Sequence, residues 1–454
     1  MKEHINKQRA FFNSNTTKNI DFRIRQLKKL KKILEENTQL MDEAIYADFK
    51  KSAFECYISE HAMIFHDLNE AINKVKNWAK VKNVSTNLLN LPAKSYIVPE
   101  PLGVSLIIGA WNYPYQLSLA PAIAAIAAGN TVVLKPSEIP ANTSRVLAKL
   151  INSNFDPEFF LVVEGGIKET TELLEQKFDK IFFTGSVSVG KIVYQAAAKH
   201  LTPVTLELGG KSPAFITEKC DLPVSTKRLI WSKFLNAGQT CIAPDYVLVH
   251  ASVKNEFLRL AKEEIEKSKY SFENENYVQI INEKNMQRLA QMIPAEKVYL
   301  GGNYEPGSRY FAPTLLTDIT FEDKVMEEEI FGPILPVISY THLDKAIAQV
   351  KKGAKPLSCY VYTLDKATKE KILSEISFGG GCVNESVMHI TNSHLPFGGV
   401  GDSGIGAYHG LSGFKAFTHY KSILEKPTWL EPNLKYGPRT KSKLNLIKLI
   451  LGLK

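Results

Sequence analysis

Residues 103–135 read GVSLIIGAWNYPYQLSLAPAIAAIAAGNTVVLK: an apolar strand (Gly103–Ile108), a small-residue helix (Leu117–Ala128) and a second apolar strand (Thr131–Lys135). Strands that are apolar on both faces and joined by a helix belong in a parallel sheet covered on both sides. Working outward, strands follow at Phe160–Val163 and Lys180–Phe183, with helices over 141–152 and 168–177 between them. This alternation predicts a doubly wound α/β sheet. After 207 it returns, with a strand near Ala214–Ile216, a helix near 221–236 and a strand at Tyr246–Val249, as expected of a second α/β domain. Upstream, apolar residues recur at helical spacing through 16–80 (Leu27, Leu30, Ile33 and Leu34, then Ala62, Phe65, Leu68, Ile72 and Val75), predicting long helices. Residues 81–100 lose that period, contain Pro92 and Pro99, and read as an extended connection or an edge hairpin. Residues 395–415 are Gly-rich and loop-like.

The chain has 454 residues, enough for two or three domains and a large core. Its 44% hydrophobic and 23% charged residues exclude a disordered chain. The net charge is +9, but Arg439, Lys441, Lys443, Lys448 and Lys454 sit together at the C-terminus with no acid among them, leaving the body at about +4. That argues against nucleic-acid binding and for a local property of the tail. Five scattered cysteines (Cys56, Cys220, Cys241, Cys359, Cys382) predict neither a disulfide framework nor a metal site, and they fit a reducing, cytoplasmic setting. The N-terminus has no signal-peptide pattern, and no apolar run is long enough to span a bilayer.

In the tail, Lys441, Asn445, Lys448 and Gly452 make one narrow polar stripe, and Leu444, Leu446, Ile447, Leu449, Ile450, Leu451 and Leu453 fill the rest. A short basic amphipathic helix suits an anionic membrane interface, which would place the protein peripherally on the inner face of the membrane. The competing reading is a helix packed on a partner subunit.

Four stretches carry chemistry. Cys241 follows a Gly238-Gln239-Thr240 turn, where nearby amides can stabilise a thiolate nucleophile; the competing reading is a buried structural cysteine. Glu207 sits in an apolar strand before Gly209-Gly210-Lys211, as a base of raised pKa or as half of a salt bridge with Lys211. Asn112, in Trp111-Asn112-Tyr113-Pro114 at the carboxyl end of the first strand, offers an oxyanion donor or a simple turn. Lys135 and Glu138 end the second strand, where ribose hydroxyls are commonly held. The loop Thr184-Gly185-Ser186 through Gly190 joins a strand to a helix that can cradle a phosphate, although no Gly-x-Gly-x-x-Gly is present.

Taken in order, Trp111–Pro114, Lys135–Glu138, Phe183–Ser186, Leu206–Lys211, Gly238–Cys241, Glu328–Pro333 and Leu395–Gly399 resemble the motifs of an aldehyde dehydrogenase over about residues 5–425. Ala243–Tyr246, Gly401–Gly404 with Tyr408-His409-Gly410, Phe414 and Phe417–His419 resemble its class 3 branch, which includes fatty-aldehyde and carotenoid-aldehyde dehydrogenases. The resemblance implies two doubly wound α/β domains plus a small β oligomerisation extension. In these terms 1–80 and 101–206 form a Rossmann-like NAD-binding domain, 207–394 a catalytic domain, 81–100 and 395–430 bridging and oligomerisation segments, and 431–454 the tail. It also implies a homodimer. Cys241 would be the nucleophile, Glu207 the base and Asn112 the oxyanion donor. Lys135, Glu138, Gly185, Ser186, Gly190, Glu329, Phe331 and Trp111 would serve the cofactor, NAD first with NADP second. No metal is implied. The competing activities are a coenzyme A-acylating or semialdehyde dehydrogenase, and a non-catalytic NAD-binding relative. Against them stand Glu207, which acylating enzymes typically lack, the absence of an Arg-rich anion pocket, and the joint presence of Cys241, Glu207 and Asn112.

Overall fold

The computed structural model describes residues 1–452, so Leu453 and Lys454 of the tail lie outside the described residues. One sheet has six strands in the spatial order Gly404–Ile405, Val204–Glu207, Lys180–Thr184, Val104–Ile108, Thr131–Lys135 and Phe160–Val162. The last five run parallel, with Ile108 opposite Lys135 on one side and Phe183 on the other. Every residue of the three central strands is buried, as their unbroken apolar runs require. The helix Gln116–Ala128 makes the first crossover and is buried almost all round. It stops at Gly129, whose φ of 95° suits glycine and whose missing side chain leaves room for the Arg23 guanidinium.

The second sheet has seven strands, ordered Val298–Leu300, Thr314–Leu316, Ile334–Tyr340, Tyr246–His250, Pro213–Ile216, Ser358–Tyr362 and Gly380–Val383. Only the first of these pairs antiparallel. The hairpin expected over 81–100 forms between Lys82–Val84 and Lys94–Pro101. Its longer strand also pairs along its length with Thr418–Glu425, from Pro101 opposite Thr418 to Lys94 opposite Glu425.

Three features depart from the sequence reading. The Gly-rich stretch 395–415 is not all loop: Gly404 and Ile405 form the outer strand of the first sheet, opposite Glu207 and Leu206, and Gly410–Ala416 is helical. A two-residue strand is too short to show an alternating pattern. A helix at Lys2–Asn13 was not predicted, because its only buried apolar residue is Ile5. Polar hooks hold it instead: Gln8 Nε2 donates to the carbonyls of Val132 and Pro157, and Arg9 pairs with Asp179 at 2.7 Å. Finally, the expected long helices are interrupted after Cys56 by a wide π turn over Tyr57–His61, before Ala62–Trp78 resumes α geometry. In the tail, Lys441–Ile450 is a helix with no buried residue.

Candidate active site

The register of the first sheet brings Ile108, Lys135, Thr184 and Glu207 to one edge, the carboxyl ends of neighbouring strands. Ligands collect at such edges. A cavity of 1110 Å³ opens there and runs to the second sheet. Its volume exceeds that of a typical single small-ligand site, roughly 300–1,000 Å³. Of the eleven residues singled out from the sequence, ten line it: Trp111, Asn112, Lys135, Glu138, Gly185, Ser186, Glu207, Cys241, Glu329 and Phe331. Gly190 does not. It lies buried in the helix Val187–Ala198, where a Cβ would meet the Leu208 side chain, so its lack of a side chain serves close packing of that helix.

Cys241 is presented by an unusual turn. The helix Leu222–Phe234 leads into Asn236 (φ 53°), Ala237 (φ 50°) and Gly238 (φ 72°), three consecutive left-handed residues. The two non-glycines cost of order 1 kcal/mol or more each, so the surroundings must impose them. The Asn236 amide donates to Glu55 Oε1 at 2.8 Å, and its side chain donates to the carbonyls of Asn112 and Gln239. Gln239 Nε2 donates to the Asn236 and Gln279 carbonyls, and its Oε1 accepts from the Ile281 amide. A Cβ at Gly238 would overlap the Gly332 carbonyl. Each residue before the cysteine thus has a structural reason.

Asn112 is buried and its Nδ2 donates to the Gln239 carbonyl at 3.0 Å, leaving its second N–H unassigned. Its own carbonyl accepts from Asn236 Nδ2 and from Lys51 Nζ, the latter at 3.4 Å. Lys51 is fully buried, pairs with Glu60 at 3.4 Å and lies 4.3 Å from the Tyr113 ring centre. The other Glu60 oxygen accepts from the amides of Tyr115 and Gln116, fixing the start of the crossover helix. Sequence reasoning missed Lys51, Glu55, Glu60 and Asn236, for they stand in no motif. No signal in the sequence marks them, because the burial and pairing of Lys51 and Glu60 arise only on folding.

The electrostatics separate the acidic groups. Glu207 is buried, neither oxygen has a hydrogen-bond partner among the described residues, and burial holds its carboxyl well above the usual carboxylate range. The alternative pairing with Lys211 is not made: Lys211 Nζ lies 2.6 Å from Asp245 and also donates to the Val325 and Glu328 carbonyls. Burial, with Asp245 nearby, pushes Glu329 up to about 8. The Cys241 thiol is pushed up to about 12, first by burial and then by Glu329 and Glu207. The backbone amides of Cys241 and Ile242 pull it down, as expected of the turn, but burial outweighs them.

At the far end of the cavity, Lys135 is buried, donates to the Pro136 carbonyl at 2.8 Å and stands 3.7 Å from half-exposed Glu138. Burial lowers its ammonium pKa. Ser186 caps the following helix, its Oγ accepting from the Val189 amide at 3.4 Å. Near the centre, Phe331 packs edge-on against Trp111 at 5.2 Å, and a Cβ at Gly209 would overlap the Glu329 carboxylate. A lysine and a glutamate at one strand end, a helix N-terminus beside them and an unpartnered carboxyl deeper in fit a dinucleotide with a second, smaller ligand against Cys241.

The aldehyde dehydrogenase family model matches residues 1–423. The chain is 46% identical to the 4,4'-diaponeurosporen-aldehyde dehydrogenase of Staphylococcus aureus, covering 97% of this chain and 96% of that one. It is 43% identical to a dimeric NADP-preferring aldehyde dehydrogenase of Rattus norvegicus, covering 94% of each. Among solved structures, the substrate-bound state of Staphylococcus aureus AldH superposes with a TM-score of 0.97 at 44% identity, over 99% of each chain.

Proposed function

The chain belongs to the aldehyde dehydrogenase family, and on that premise we propose that Cys241, Glu207 and Asn112 carry the NAD(P)-dependent oxidation of a long apolar aldehyde to its carboxylate. The observation that carries this reading is a nucleophile, an unpartnered buried carboxyl and an amide donor lining one cavity.

Cys241 Sγ attacks the carbonyl carbon as its proton passes to solvent. The oxygen becomes an oxyanion that the Asn112 side chain and the Cys241 amide stabilise. A dinucleotide held in the cavity would supply the hydride acceptor for oxidation of this thiohemiacetal to the thioester. Glu207, in its ionised form and with its affinity for protons raised by burial, then takes a proton from water as that water attacks the thioester. The acid leaves and Cys241 recovers its thiol. Lys135 and Glu138 would hold the adenosine ribose, Ser186 and the helix start behind Gly185 the pyrophosphate, and Glu329 with Phe331 and Trp111 the nicotinamide half. Glu138 disfavours a 2′-phosphate and supports NAD, while Lys135 beside it leaves NADP acceptable.

Apolar side chains (Ile58, Met63, Trp231 and Ile390) among the cavity lining favour a long hydrocarbon substrate, a fatty or carotenoid aldehyde. The Staphylococcus aureus relative's name supports the carotenoid choice. The dimer is supported by the name of the rat relative and by exposed apolar side chains on the three-stranded sheet unit: Leu424 on its last strand, and Leu88 and Leu89 in the turn joining its first two. The tail helix supports a peripheral membrane contact: Leu444, Leu446, Leu449 and Leu451 are exposed beside Lys441, Lys443 and Lys448. No helix among the described residues is long and apolar enough to cross a membrane.

The test is reduced-cofactor formation with aldehydes from acetaldehyde to hexadecanal. Specificity should rise with chain length and vanish in Cys241→Ala; activity that falls with length would overturn the substrate class. A chain ending at Lys435 should lose binding to anionic liposomes, and equal binding would remove the membrane role.

A further inference from the structure

Apart from the cavity, one side-chain cluster among the described residues combines a thiol, an imidazole and a carboxylate within metal-ligand reach. Cys56 Sγ lies 3.4 Å from His61 Nε2, and the same nitrogen lies 2.8 Å from Asp42 Oδ1. All three donor atoms fall within 4.8 Å of one another. We propose that Asp42, Cys56 and His61 bind one thiophilic divalent cation, zinc first, with a water completing the shell.

The backbone is shaped to make this cluster. In an α-helix of about 3.6 residues per turn, positions five apart point to different sides. Between Cys56 and His61 the chain instead widens into a π turn, and the Ala62 amide donates back to the Tyr57 carbonyl. That i→i+5 spacing returns His61 to the face of Cys56, and such turns recur at functional sites. The His61 ring is further set by stacking on Phe65 and Tyr115, at 6.2 and 6.3 Å between ring centres.

Two of the three donor separations come near those around a tetrahedral ion, and the third, between Cys56 and Asp42, falls within 4.8 Å. Bonds of about 2.3 Å to sulfur and about 2.0–2.2 Å to nitrogen and oxygen separate ligand atoms by roughly 3.3–3.6 Å, close to the 3.4 Å between Cys56 and His61 and a small movement from the 2.8 Å between His61 and Asp42. Two ligands are sealed from solvent, Cys56 at 0% and His61 at 2% exposure, whereas the Asp42 side chain is 26% exposed and provides the way in. The soft thiolate selects zinc over magnesium or calcium.

The site is coupled to the active centre. The same π turn carries Glu60, which holds the amides of Tyr115 and Gln116, and Ile58 and Ser59, which line the cavity. An ion here would stiffen the wall against which the aldehyde packs.

Cobalt(II) serves as a spectroscopic probe for zinc. The experiment uses full-length Cys241→Ala, which removes the catalytic thiol as a competing ligand. We expect one cobalt per chain, a thiolate-to-cobalt absorption band, and its displacement by one equivalent of zinc. Cys56→Ser should abolish the band. Asp42→Asn, at a partly exposed position, should weaken binding at least as much as the loss of an outer-shell partner, roughly tenfold or more. A band that survives Cys56→Ser, undiminished affinity in Asp42→Asn, or no band in the folded parent protein would each overturn the site and leave a hydrogen-bonded triad. If Cys56→Ser fails to fold, Asp42→Asn decides.

Discussion

The hydroxyls of Tyr113 and Thr240 lie 2.6 Å apart in the buried wall between the two sheets. One follows the strand end that carries Asn112, and the other immediately precedes Cys241. This contact, with Asn112 Nδ2 on the Gln239 carbonyl, locks the oxyanion donor to the nucleophile's turn.

Tyr113→Phe removes one hydroxyl and strands the other, costing about 1–3 kcal/mol as a buried group left unpaired. Because the lost contact joins the two reacting elements, kcat should fall while KM for the cofactor stays near its original value. Denaturant unfolding and steady-state kinetics check both.

Asn112→Ala removes the side-chain donor. We expect kcat to fall by about 10²–10³. Asn112→Asp should be worse, since it puts a charge where the oxyanion forms. Single-turnover kinetics should place both losses before thioester hydrolysis.

Glu207→Gln keeps the shape and removes the base. A first turnover should appear as a burst of one reduced cofactor per site, followed by a steady rate lower by about 10²–10⁴. Stability should move the other way. An unfolded glutamate ionises at about 4.3, while Glu207 holds its proton well above that. The folded state therefore binds the extra proton, and this site loses stability as pH rises past the unfolded value. Glutamine has nothing to ionise, so the variant's melting temperature should match wild type near pH 4 and exceed it increasingly toward pH 8. A constant difference across that range would contradict the burial.

Cys241 supplies the fourth prediction. An ordinary thiol ionises at about 8.5, and this one is held up to about 12 by burial and two carboxyl groups. In the cofactor-free enzyme, iodoacetamide should label it slowly at neutral pH and about tenfold faster per pH unit through pH 10. Glu329→Gln removes the larger of the two charge effects and should speed labelling above about pH 8, where Glu329 is ionised. Mass spectrometry of the Cys241 peptide provides the readout.

Much of this was legible in the sequence because the relevant residues stand beside backbone signals. Asn112, Lys135 and Glu207 each end an apolar run, and Cys241 follows a glycine turn, so strand ends alone place them on one edge. What the sequence concealed is the support behind them. Lys51 and Glu60 come from the helical region and act only through a buried pair that forms on folding. Asn236 adopts its left-handed φ because Glu55, far away in the chain, takes its amide. The Glu207–Lys211 alternative failed for a similar reason: Asp245, from another strand end, takes the lysine. The thiol shows the limit of motif reading, since turn amides are visible in a sequence and the degree of burial is not.

The late pairing of Gly404 with Glu207, and of Thr418–Glu425 with Lys94–Pro101, has a consequence for biosynthesis. The strand bearing the base is made in the first half of translation, but its outer neighbour leaves the ribosome only near the end. Until then Val204–Glu207 and Lys94–Pro101 expose free backbone edges, which are templates for misassociation. A nascent chain released between residues 241 and 404 carries every proposed catalytic group and cannot close the sheet that aims one of them. Catalytic competence is therefore withheld until synthesis is nearly complete, and prematurely terminated products should be the aggregation-prone, protease-sensitive fraction of this protein in the cell.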